Sequence, residues 1–149
     1  GHTIMRIAIA LATALVLLAG PVLAQSEEEV MAQIETVQGD AEGFGEAFSA
    51  LQDAFLFDDP TAIANLGVYP LEIAANGEVY DILAPEDLVE NFDALLLPET
   101  RDALASQDFD GLIVSSDGVG FADGALWMAN LCADDICAET YWGIIRINN

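Results

Sequence analysis

Residues 68–82, VYPLEIAANGEVYDI, read as a β-hairpin. Asn76-Gly77 suits a two-residue type I′ loop, whose central positions both need positive φ, and apolar residues alternate on either side of it. Such a loop pairs Ile73 with Tyr80 and Leu71 with Ile82 on one face, and sets Glu72 opposite Asp81 on the other. Two facing carboxylates fit a coupled acid pair or a cation site, and also a plainly solvated outer face. Hairpin geometry favours the solvated face.

On both sides of the hairpin the hydrophobic period changes. Upstream, Ser26 precedes Glu27, Glu28 and Glu29, an N-cap with acids where the helix dipole favours them. Val30, Ile34, Val37, Ala41, Phe44, Phe48, Leu51 and Phe55 then recur at steps of four and three. The spacing predicts a short leading helix within 25–40, a break near Gly39-Asp40 and a main helix over 41–56. This stripe would serve either a partner helix or the protein's own sheet, and its glycines, costly in an exposed coiled coil, favour the sheet. Asp59-Pro60 caps and opens a second helix through Leu66. Downstream, Pro85 opens a helix from Glu86 to about Leu96, striped by Leu88, Val89, Phe92, Leu95 and Leu96. Pro98 opens another to about Gln107. Strands follow at 112–115, 119–121, 125–132 and 138–147, separated by Asp-Gly turns. Helices first and a meander last make one α+β domain, assigned to 41–149.

Cys132 and Cys137 enclose four residues between the last two strands. They read as a structural disulfide. A redox pair would carry a shorter spacing and a neighbour that lowers a thiol pKa, whereas Asp134 and Asp135 lie between these two; a zinc site lacks two further ligands. Placing the cysteines directly opposite each other sets the register, so that Trp127 faces Trp142, Met128 faces Tyr141 and Asp123 faces Arg146. Trp127 and Trp142 then form either a cross-strand core pair or the floor of a pocket.

The 149 residues carry 26 Asp plus Glu, three Arg and no Lys, a formal charge of −23 at 54% hydrophobic content. That balance argues against nucleic acid and anionic lipid as partners, since both are held by Lys and Arg. Residues 1–4 precede Met5 and read as an expression scar. Arg6, the apolar run 7–19, Gly20-Pro21 and small residues at Val22 and Ala24 read as a signal peptide cleaved after Ala24. Thirteen residues, all apolar but Thr13, are short for a membrane span, which disfavours an uncleaved anchor. The chain from Gln25 on then has two Arg against 26 acids, a formal charge of −24, and no His. Mechanisms needing an imidazole base, a His metal site or a Schiff-base Lys are closed to it. Asp108-Phe109-Asp110-Gly111 starts like a calcium loop but lacks the closing Glu, leaving only a weak surface site among Asp58, Asp59, Asp134 and Asp135. No metal or cofactor is expected.

Several motifs share one order: Tyr69-Pro70-Leu71 in the hairpin, helices at Pro85 and Pro98, Asp117-Gly118-Val119-Gly120, Gly124-Ala125-Leu126-Trp127, and Trp142-Gly143-Ile144-Ile145-Arg146-Ile147-Asn148. From about Ala41 to Asn149 this order resembles the nuclear transport factor 2-like (NTF2-like) superfamily, in particular its small exported bacterial members. The resemblance implies a curved antiparallel sheet wrapped on helices as a cone, whose mouth can hold a small ligand. That superfamily includes ketosteroid isomerase, dehydratases, polyketide cyclases and pure binding proteins, so the fold alone assigns no function. Tyr69, Trp127, Trp142 and Arg146 are the candidate pocket residues. Asp81 with Tyr80, Tyr141 and Arg146 would be the catalytic set of an isomerase, dehydratase or cyclase using a carboxylate base. The leading expectation is a non-catalytic periplasmic or secreted module that binds a small ligand or a protein partner, including a second copy through the sheet.

Overall fold

A computed structural model of the chain describes residues 26–149. The expected signal segment lies outside the described residues. Ser26 caps helix α1 (Glu27–Val37), its hydroxyl accepting from the Glu29 amide at 3.2 Å. The expected break falls at Gly39 and Asp40, both at positive φ, and the Asp40 carboxylate accepts from the Gly43 amide to start α2 (Ala41–Leu56). Val30, Ile34, Phe44, Phe48, Leu51 and Phe55 all join the core, so the stripe serves this chain's own sheet; Val37 is its exposed exception. Asp59 caps α3 (Pro60–Asn65) through the Ala62 amide.

The first hairpin forms in the register its turn dictates. Strands β1 (Gly67–Ala75) and β2 (Glu78–Ile82) pair Leu71 with Ile82, Glu72 with Asp81 and Ile73 with Tyr80. The helix expected from Glu86 to Leu96 is instead two short ones, α4 (Pro85–Glu90) and α5 (Phe92–Leu95). They part at Asn91, whose amide side chain bonds the Asp87 carbonyl and competes with the helical ladder. The stripe loses Val89 to solvent. The next helix, α6 (Pro98–Ala105), stops short of Gln107, whose side-chain oxygen accepts from the Ala122 amide.

Strands β3 (Ile113–Ser115), β4 (Gly118–Phe121), β5 (Leu126–Cys132) and β6 (Thr140–Asn148) complete a six-stranded sheet in the order β2-β1-β6-β5-β4-β3. The sheet is mixed and not purely antiparallel, because β6 runs parallel to β1 where the hairpin and the meander join. Local pairing signals cannot report which two edges meet after a long helical crossover.

The final hairpin departs from the expected register. Cys132 lies opposite Thr140, Asn130 opposite Trp142, Met128 opposite Ile144 and Trp127 opposite Arg146. Cys137 is not on a strand. It sits in the connecting loop at φ 56°, and the disulfide to Cys132 closes that loop over a Cα separation of 4.7 Å. The ladder's end is set instead by the Ala133 amide bonding the Glu139 carbonyl at 2.8 Å. A bulge follows: Met128 and Trp127 are consecutive, yet their partners are Ile144 and Arg146, leaving Ile145 as the extra residue. Asp123 sits in a 3₁₀ turn (Ala122–Gly124) at positive φ and pairs with no strand.

The bulge redistributes the faces. Leu126, Met128, Trp142, Ile144 and Ile147 are buried, whereas Trp127, Leu131 and Ile145 are half-buried and Tyr141 exposed. Between the sheet and α2, Phe44, Phe48, Phe109, Phe121 and Trp142 form one aromatic cluster. Phe48 and Phe109 have ring centroids 4.4 Å apart, and Phe44 meets Trp142 edge-on at 5.0 Å. Each such pair adds about 0.5–1.5 kcal/mol beyond the area it buries.

Candidate functional site

The register carries one row of residues across all six strands: Asp81, Glu72, Arg146, Trp127, Gly120 and Ile113, from β2 to β3. Leu71 and Ile73 are buried on the helical side, so this row lies on the sheet's other face. Its centre is a stacked pair, with the Arg146 guanidinium 5.6 Å from the Trp127 ring centroid, within cation–π range. Trp127 is pinned beneath it. Its indole N–H donates to the Gly124 carbonyl at 3.0 Å, and the ring lies across Gly120, where any Cβ would come within 3.0 Å of it. Glycine at 120 is therefore what lets the indole lie flat. Ile113, at the end of the row, is 41% exposed, and beside the row stand Val79 and Tyr141, 63% and 44% exposed.

The four expected pocket residues are divided among three places. Trp127 and Arg146 share the outer face. Trp142 is on the inner one, packed on Phe44, with its indole N–H donating to the Asp40 carbonyl at 3.0 Å. Tyr69 holds the α3–β1 corner, its hydroxyl donating to the Ala64 carbonyl at 2.6 Å. Burial, aided by the charge of Glu86, pushes its pKa up to about 12.

Nor do the acid–base candidates converge. Asp81 is exposed beside Glu72, and Tyr80, its neighbour along the strand, points to the opposite face. The Tyr80 hydroxyl donates to Glu78 Oε2 at 2.9 Å, a bond that raises the phenol pKa above its ordinary value. Tyr141 is exposed on the outer face.

Several clefts lie on the helical side of the described residues. One, of about 300 Å³, sits between the tip of the first hairpin and α4–α5, lined by Asn76, Tyr80, Ile82, Asn91, Ala94 and Leu95. Another, of about 440 Å³, lies around Arg101. The Arg101 Nη1 is 3.5 Å from Asp93 and 3.8 Å from Asp58, with the guanidinium 5.5 Å from the Phe92 ring centroid. It ties α6 to α5 and to the segment after α2. Sequence reasoning passed over Arg101, although a lone cation on a helix among so many acids was a signal. Asn76 is legible in the sequence only as a turn residue, and nothing in the local pattern marks Glu78 or Asn91.

Among the described residues, no three His, Cys, Asp or Glu side chains are grouped to hold a metal ion, and no helix is long and apolar enough to cross a membrane. Comparison with protein-family models, with curated proteins and with solved structures finds no match.

Proposed function

We propose that the protein is a non-catalytic exported module of the NTF2-like kind, whose working surface is the outer face of its sheet, where it docks a protein partner. The carrying observation is the Arg146–Trp127 pair, its indole anchored to the Gly124 carbonyl, at the centre of a half-apolar sheet face that none of the described helices covers. Trp and Arg are the side chains that most often dominate binding energy at protein interfaces. The aromatic cluster around Phe44, packed between the sheet and α2, favours a protein partner over a small ligand held inside a cone. Helices on one face of a sheet ordered β2-β1-β6-β5-β4-β3 support the cone reading. The Cys132–Cys137 bond is compatible with an extracellular, oxidising setting. With so many carboxylates on the molecule, a partner bearing a basic rim would be steered onto it.

Site-specific photo-cross-linking in exporting cells tests this. Cross-linkers replacing Ile113, Val79 or Tyr141 are expected to give discrete adducts that disappear with Trp127→Ala. Adducts arising only from Phe57 or Val89 on the helical side would overturn the reading. The adduct mass distinguishes a second copy from another protein.

A further inference from the structure

We infer that the cleft between the first hairpin and α4–α5 is a second binding site, which takes a small organic ammonium ion with an apolar body. Its floor is apolar: Ile82 and Leu95 are 8% and 4% exposed, with Ala94 beside them. At about 300 Å³ it reaches the lower end of the volumes that hold small molecules.

Its polar rim is biased towards acceptors. The Tyr80 hydroxyl spends its proton on Glu78, so the phenol oxygen faces outward with lone pairs only. Asn76 donates through Nδ2 to the Ala94 carbonyl at 3.0 Å, and Asn91 donates through Nδ2 to the Asp87 carbonyl at 2.9 Å. Among the described residues neither Oδ1 atom takes part in a hydrogen bond shown by the structure, so both are open to a donor. Neither Arg101 nor Arg146 lines the cleft. Tyr80 lines the cleft, and its hydroxyl contacts the Glu78 carboxylate. A cation over the Tyr80 ring gains both the π-face attraction and the nearby negative charge. An anion would meet acceptors and the Glu78 carboxylate, and a neutral apolar molecule would gain only the floor. The site stands apart from the sheet face, with Tyr80 and Ile82 on the inner side of β2 and Asp81 on the outer.

Phenethylammonium and its neutral counterpart 2-phenylethanol share a body and differ in the head group, which makes them the discriminating probes. In amide-resolved NMR titrations at physiological ionic strength, phenethylammonium is expected to shift Tyr80, Ile82, Asn91 and Leu95 saturably. It should bind about tenfold more tightly than 2-phenylethanol. Glu78→Gln and Tyr80→Leu should each weaken it several-fold, while Trp127→Ala should leave it unchanged. Glu78 is exposed, so its substitution leaves the fold intact. Equal affinity for the alcohol, or shifts spread over the acidic surface and reproduced by methylammonium, would overturn the inference. So would the absence of saturable shifts, or loss of binding with Trp127→Ala. None of these outcomes bears on the cross-linking test of the sheet face.

Discussion

The inner and outer faces of the sheet are built from the same six strands and solve opposite problems. On the inner face Leu71, Ile73, Met128, Ile144 and Ile147 are fully buried, and even the polar atom of Trp142 is satisfied by the Asp40 carbonyl. The outer face keeps Trp127 half in water beneath an exposed Arg146, with Val79, Ile113 and Tyr141 open around it. Polar groups inside must be paired because the interior offers no water to replace a lost bond, whereas an exposed charge stacked on an indole costs little to keep. Stability is therefore concentrated on the inner side, and the proposed docking surface is the outer one.

The hardest test of that contrast is Phe44→Ala. Phe44 is fully buried and touches Phe48, Phe109, Phe121 and Trp142, so its truncation should cost about 3–5 kcal/mol in denaturant unfolding. If Trp127→Ala cost as much, the outer face would be core and the contrast would collapse. Trp142→Phe sharpens the inner side, because it loses the bond to Asp40 and part of a buried ring. A loss of about 1–3 kcal/mol is expected from the same measurement.

Alkaline titration reads the corner where α3 meets β1. Because the Tyr69 pKa is raised from 10.0 to about 12 in the folded state, the native chain binds more protons than the unfolded one between those values. Its contribution is complete below pH 10 and is lost as pH rises towards 12. A Tyr69→Phe variant should lack most of that decline, with tyrosinate absorbance following the titration. The smallest effect belongs to Arg146→Ala. Removing an exposed guanidinium should change stability by no more than about 1 kcal/mol while cutting cross-linking at Ile113, so the two readouts should separate.

How far these features could be read in the chain depends on how local their causes are. The first hairpin was legible to the residue because Asn76-Gly77 alone sets the pairing of β1 with β2. The helix boundaries at Asp40 and Asp59 were legible for the same reason, since a carboxylate three residues from an amide makes the cap. The last hairpin was not. Its seven-residue connection can close in several ways, and the residue displaced by the bulge, Ile145, is chemically much like its neighbours. Trp127 and Arg146 belong to one candidate set in the sequence and do meet, but the register read from the cysteines sets Trp127 opposite Trp142, whereas the bulge sets it opposite Arg146. Tyr80, a candidate donor to substrate, donates to Glu78.

By itself, the sequence determined the α+β class, the order of elements, the disulfide pairing of the only two cysteines and the chemistries closed to a segment without His or Lys, because composition and short-range spacing decide these. Only the tertiary structure decided that β6 lies parallel to β1, that one bulge brings Arg146 onto Trp127, and that Asn76, Tyr80 and Asn91 meet around one cleft. Each of those depends on segments far apart in the chain coming together, and the energy that selects them comes from burying the aromatic cluster as a whole.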